Sequence, residues 1–460
     1  MFISFTSVNL ISLISILLIN LSFLFITPAN AGSTLNCPSS ATTNSDSGTE
    51  YIVTLKTNSQ NEAQLQIADI LKCLKTTLDK IKDIVDIANQ CSNIDPLNIP
   101  STVPNVISSN QYFRDLSFSN FYAFSGYYNQ DFVNALSEWD AVSKVQPIVA
   151  MKASGLINLN NNQPNQPDVT QDVTNLWNLD RIDQTSRPLD GKYTYPSCAG
   201  KDTNMYIVDT GIDILHKEFG GRAKYGKSCC IGCPPCPWDD HGHGTHVSGI
   251  VGSITYGVAK AINLIAVKVL NAAGTGTDAD IIAGLQFVYN DFLKKKKPSI
   301  VNMSLGGGKS DPLNAAVDAI TAAGIFVSVA AGNSEDDACQ YSPASAPTAI
   351  AVGAIKNTDN DALSSYSCYG TCVPIYAPGD NILSTFVKGI VDSTTATLSG
   401  TSMASPHVAG AIALYQCSNS TKMTPSEMRN LLISKSDKKL IGNLPDGSNN
   451  CILRIPYTDK

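Results

Sequence analysis

Short, nearly continuous apolar runs punctuate the chain from Trp177 onward, at 205–208, 264–270, 300–303, 325–329 and 349–352. Helical segments separate them. Strands with no polar alternation suit a parallel sheet buried on both faces, so this half is expected to be a doubly wound, mostly parallel α/β domain. The first half reads differently. Residues 51–56 form a strand pattern, and Leu71, Leu74, Leu78, Ile81 and Val85 then recur at helical spacing. Aromatic alternation over 113–128 suggests a hairpin, 132–136 a short helix and 145–151 a final strand, the order of a small α+β sandwich. Between the halves, Asn160, Asn161, Asn162, Pro164 and Pro167 leave little to bury, and the stretch reads as an exposed linker.

Composition narrows the classes. With 460 residues, 43% hydrophobic and 15% charged, the chain can bury a large core. A formal net charge of −7 argues against a nucleic-acid partner, because a phosphate-binding face needs clustered Lys and Arg. The one basic run, Lys294 through Lys297, reads as a solvated helix end before Pro298.

The apolar stretch 1–26, followed by Pro28 and Ala29-Asn30-Ala31, reads as a secretory signal cut after Ala31. Its length and its lack of Lys or Arg leave an uncleaved anchor as the rival reading. Residues 32–50, rich in Ser, Thr and Asn, read as a flexible leader. Thirteen cysteines on the secretory route read first as disulfides, and the ten from Cys198 onward are even in number. Cys229, Cys230, Cys233 and Cys236 also have metal-ligand spacing, but the prolines among them and the oxidising route favour disulfides.

Three motifs in the second half carry chemistry. Val208-Asp209-Thr210-Gly211 sets a carboxylate at the carboxyl end of an apolar strand, where α/β sheets hold their sites. Alone it is weak and reads more readily as a loop cap. Gly242-His243-Gly244-Thr245-His246 opens a helix. Zinc on His241, His243 and His246 is the rival there, but no carboxylate follows at ligand spacing. Gly400-Thr401-Ser402-Met403-Ala404-Ser405 starts a helix of small apolar residues, with Ser402 where unpaired N–H groups favour negative charge. In isolation Ser402 reads equally as a helix cap.

Together these segments resemble the subtilisin-like serine peptidases, most closely the proteinase K type, over 177–437. Ser304-Leu305-Gly306-Gly307, Ala330-Ala331-Gly332-Asn333, Ser342-Pro343-Ala344-Ser345 and Ala377-Pro378-Gly379 extend the likeness. The resemblance implies Ser402 as nucleophile, His243 as general base, Asp209 as the orienting carboxylate and Asn333 as an oxyanion donor. It implies two backbone edges for an extended peptide, at Gly274 to Gly276 and at Ser304, Leu305, Gly306 and Gly307. Ala330, Ala331 and Gly332 would floor an uncharged primary pocket, favouring apolar residues before the scissile bond. Residues 51–152 resemble the family's inhibitory propeptide, 153–172 become the linker that is cut on activation, and 173–460 become the peptidase domain.

The chain departs from the pattern at two places. Pro374 stands where proteinase K relatives carry a calcium-binding carboxylate, so the calcium site there is not expected; no metal ligand and no cofactor is assigned from the sequence. The cysteine-rich segment 229–236 lies outside the usual pattern and, with Cys368 and Cys372, is read as a staple for loops near the cleft. Asn419-Ser420-Thr421 is a glycosylation sequon, whereas Asn302-Met303-Ser304 falls on a strand expected to be buried. The expected protein is therefore a secreted monomeric serine endopeptidase, extracellular or in an acidic vacuolar compartment. Its partners are protein and peptide substrates and its own propeptide, with no membrane contact in the mature form. The rivals are an inactive binding relative and an esterase, but an esterase would place its Ser first and within Gly-x-Ser-x-Gly.

Overall fold

The computed structural model describes residues 49–67 except 58 and 61, 114–153 except 129, 156–158, and 170–456 except 388–392 and 420–421. The signal segment, most of the leader, the helical pattern at Leu71 to Val85, Cys37, Cys73, Cys91, the middle of the linker and Ser420-Thr421 lie outside those residues.

The N-terminal unit is an antiparallel sheet of β1 (Thr49–Leu55), β2 (Arg114–Asp115), β3 (Ala123–Tyr128) and β4 (Val142–Pro147), with helix α1 (Gln130–Glu138). Its order is β2-β3-β1-β4. Val53, Phe124, Leu136 and Trp139 pack its small core. The expected final strand divides in two. After β4 the chain bends at Ile148 and Val149, and β5 (Ala150–Ala153) leaves this sheet altogether. The expected linker is bordered by strands: β6 (Leu156–Asn158) at one end and β7 (Thr170–Asp172) at the other.

The second half opens with α2 (Trp177–Asp183) and β8 (Lys192–Thr194), the partner of β7. Next come β9 (Asn204–Asp209), β10 (Ala223–Ser228), α3 (His243–Gly252), β11 (Asn263–Lys268), β12 (Thr275–Thr277) and α4 (Asp278–Lys295). They are followed by β13 (Ser299–Met303), β14 (Leu305–Gly308), α5 (Asp311–Ala322), β15 (Phe326–Ala330), β16 (Tyr341–Ser342) and β17 (Ile350–Ile355). The rest comprises β18 (Ile375–Pro378), β19 (Ile382–Thr385), β20 (Thr395–Ser399), α6 (Thr401–Ser418), α7 (Pro425–Lys435), β21 (Asp437–Lys438) and β22 (Cys451–Ile452).

One sheet runs β10-β11-β9-β13-β15-β17-β18-β22-β21, parallel throughout except at its last pair. The five strands expected from apolar runs are its consecutive members β11, β9, β13, β15 and β17. Every residue of β9, β13, β15 and β17 is buried, because helices cover both faces. On one face Val247, Ile250, Val408 and Ile412 of α3 and α6 meet Met205 and Ile207. On the other, Ile281, Leu285, Val317 and Ile320 of α4 and α5 meet Val208, Val301 and Val327. Each such side chain contributes about 1.5–3 kcal/mol by leaving water.

Helix α4 begins in a capping box between Thr277 and Asp280 and ends on Lys294 and Lys295, so its charges oppose the macrodipole at both ends. The sulfur chemistry differs from full pairing. Among the described residues, disulfides join Cys198 to Cys417, Cys230 to Cys233 and Cys339 to Cys372. Cys229, Cys236, Cys368 and Cys451 remain thiols. The staple therefore takes Cys339 rather than Cys368, which is fully buried behind Gly332.

Candidate active site

Asp209 is the last residue of β9 and His243 the first of α3, and the imidazole Nδ1 lies 2.8 Å from Asp209 Oδ1 with both side chains buried. Two glycines allow this approach. Gly211 turns the chain at φ +113°, and a Cβ there would lie 2.5 Å from the Trp238 carbonyl oxygen. Gly242 enters α3 at φ +101°, with a Cβ position 2.5 Å from the Phe386 ring.

Ser402 sits in the first turn of α6, fully buried. Its hydroxyl donates to the Ser304 carbonyl at 2.9 Å, and the Ser304 hydroxyl returns a bond to the Ser402 carbonyl at 2.7 Å. Asn302 and Ser405 extend this lock. Asn333 follows β15 through Ala331 and Gly332, and its Oδ1 accepts both the Thr401 N–H at 2.9 Å and the Thr401 hydroxyl at 2.8 Å. The acceptor end of the amide is thus committed beside Ser402, and Nδ2 is the end that remains to donate.

The expected edges are both occupied. β5 lies between β12 and β14, antiparallel to each, pairing Lys152 with Thr275 and Gly306, and Met151 with Gly276 and Gly307. Ala153 stands opposite Leu305 and donates its N–H to the Gly274 carbonyl at 2.9 Å. Met151 is fully buried. Beyond the site β6 pairs with β20, Leu156 opposite Ser399. Ala330 and Ala331 are buried at the end of β15, and Gly332 turns at φ +111°.

Of the three histidines in the zinc alternative, His246 is committed to backbone carbonyls. His246 is fully buried and donates through Nε2 to the carbonyls of Ile382 and Ala396, at 3.1 and 3.0 Å. Burial pushes its pKa down to about 3. His407 is likewise buried, with a pKa near 4. Its Nδ1 donates to the Met403 carbonyl and its Nε2 accepts from the Asn178 amide.

Sequence reasoning passed over Asp239. Its buried carboxylate accepts the N–H groups of His241, Gly242 and Thr245 and the hydroxyls of Thr210 and Thr245, at 2.6–3.0 Å. That single group ties the turn after β9 to the start of α3. Lys268, also buried, donates to the Thr210 carbonyl and to Asp240, both at 2.6 Å. The acidic doublet shortly before His243 was the only trace of this in the sequence.

Residues 200–450 match the model of the subtilase family (Peptidase_S8). The chain is 45% identical over 281 residues to the extracellular serine proteinase of Thermus sp. strain Rt41A, covering 61% of this chain and 66% of that protein. It is 45% identical over 275 residues to a subtilase-type proteinase of Schizosaccharomyces pombe, covering 59% of this chain and 57% of that protein. With the cuticle-degrading protease of Metarhizium anisopliae it shares 39% over 332 residues, 72% of this chain and 79% of the relative. The crystal structure of a cold adapted subtilisin-like serine proteinase superposes with TM-score 0.57 at 40% identity, covering 62% of this chain and 99% of that one. The match thus spans 57% and 66% of the length of the first two relatives.

Proposed function

The chain belongs to the subtilase family, and we propose that it is a secreted serine endopeptidase made as a precursor inhibited by its own N-terminal unit. Ser402 Oγ attacks the peptide carbonyl while His243, oriented by Asp209, takes the hydroxyl proton and passes it to the leaving amine. Water then hydrolyses the acyl-enzyme by the same route. Asn333 Nδ2 and the first-turn N–H of α6 receive the charge on the carbonyl oxygen.

The observation that carries this reading is the position of β5. A strand of the chain itself lies between the two edges a substrate would use, beside the 2.8 Å Asp209–His243 pair. Pairing continues past the site through β6 and β20, so a peptide is held on both sides of the reacting bond. That favours cleavage within chains over trimming of ends. Backbone edges read no side chain, and uncharged Ala330 and Ala331 favour apolar residues before the cut, giving broad specificity with an apolar preference.

The same register bears on maturation. Ser402 bonds the Ser304 carbonyl, and Ala153 is opposite Leu305. Ala153 is thus paired one residue short of Ser304, and the first cut is proposed at the bond between residues 154 and 155. The apolar segment ending at Ala29-Asn30-Ala31 supports export, and a relative is named extracellular.

Casein incubated with the purified mature protein tests the activity. Hydrolysis blocked by a serine-directed covalent inhibitor, and absent from a Ser402→Ala form matured in trans, is the expected result. Intact casein, or cleavage by the variant, refutes it.

A further inference from the structure

A cavity of about 140 Å³ lies beside the candidate base, walled by Ala153, His241, His243, Gly274, Phe386 and Leu398. Ala153 presents only a methyl group there, and Lys152, which also borders the cavity, belongs to the same strand and departs with the N-terminal unit. A space near 150 Å³ admits a benzene-sized group.

His241 gives this cavity a direction. Its Nδ1 accepts the backbone N–H of His243 at 3.3 Å, so the neutral ring carries its proton on Nε2. Nε2 faces Gly274, whose Cβ position would lie only 3.0 Å away, and the glycine keeps that approach open. Burial, then His243, lowers the pKa of His241, which keeps the ring neutral and Nδ1 an acceptor for the His243 N–H. The loop is held stiffly, because Asp239 binds the N–H groups of His241 and Gly242 while the Phe386 ring covers Gly242.

We propose that His241 is a specificity-determining residue, which selects substrates whose second residue before the scissile bond carries a hydrogen-bond acceptor, Gln or Glu in particular. This rests on the endopeptidase reading, which makes Ala153 the second residue before the cut. The methylenes of such a side chain lie against Phe386 and Leu398, and its terminal oxygen accepts from Nε2–H. An aliphatic side chain of the same size fills the space but leaves that donor without a partner, which is costly at a partly buried site. The propeptide, with Ala153, leaves the cavity unfilled and so binds its own site less completely than a good substrate.

The test uses the mature enzyme and one peptide series differing only at that position, Ala, Leu, Gln or Glu, with cleavage sites read by mass spectrometry. The ratio of kcat/KM for Gln over Leu is expected to be about 5- to 10-fold, the worth of one neutral hydrogen bond. It should fall to about 1 in His241→Ala and recover in part in His241→Asn, which restores a donor. Because the ratio compares two substrates on one enzyme, a general loss of activity does not move it. A ratio near 1 in the parent, or one that survives in His241→Ala, overturns the role of His241 while leaving the peptidase reading intact. Failure to cleave any member of the series overturns both.

Discussion

Thr401 gives Asn333 its direction. Two bonds to Oδ1 leave the amide nitrogen as the end that can donate, and in the proposed mechanism its worth appears only once negative charge develops on the substrate oxygen. Asn333→Ala is therefore expected to lower kcat by about 100- to 1000-fold with little change in KM, measured on a short chromogenic peptide. His407 allows a second test at this scale. Buried with its pKa near 4, it stays neutral where the unfolded chain would protonate it below about pH 6.5. Its folded pKa is lowered, so the folded state binds fewer protons. Stability from this group is complete above pH 6.5 and is lost as pH falls toward 4. Denaturant unfolding of inactive Ser402→Ala forms, with and without His407→Asn, isolates the effect. The parent's stability relative to the double variant should decline over that window, and a difference independent of pH contradicts the assignment. The roles proposed for Asp209, His243, Ser402 and Asn333 all start from short contiguous motifs, which a sequence displays directly. Asp239, Lys268 and Thr401 were not legible in this way, since their partners come from other elements and no local spacing marks them.

Among the elements, β5 departs furthest from what the sequence announced. Residues 145–151 carry an unbroken strand pattern, and nothing local tells that β4 pairs with β1 while β5 joins edges more than a hundred residues downstream. Pairing across such a distance depends on tertiary structure rather than on periodicity. The buried strands of the large sheet were legible because both faces are covered and their central positions are nearly all apolar. The cysteines were not, because an even count fixes neither which thiols meet nor whether they do. Strand β5 also supports a maturation prediction. N-terminal sequencing of the first processed form should begin at Gly155, and Met151→Asp should make uncut precursor accumulate, since it forces a charge into a fully buried position. A first cut beyond Asn158, or normal processing of the Met151→Asp chain, contradicts the register argument.

For the molecule as a whole, the sheet and its two helical layers hold Asp209 against His243 and Asn333 against the turn that carries Ser402. Asp209 ends β9, His243 begins α3, Asn333 follows β15 and Ser402 begins α6, and the first three strands in from β11, namely β9, β13 and β15, support them from below. The N-terminal unit closes the arrangement from above, with Arg114 paired to Asp280 and bonded to the Cys229 carbonyl, and with β5 in the cleft. In the proposed reading, its removal is what opens the cleft at Ser402 to a substrate. The central claim is that Ser402 is the nucleophile, and covalent labelling tests it most directly. Mature protein is treated with a fluorophosphonate, digested and mapped by mass spectrometry while caseinolysis is followed. The account predicts one adduct per chain, on Ser402, accumulating in step with the loss of activity. An adduct on another residue, or full activity after Ser402 is completely labelled, would contradict it.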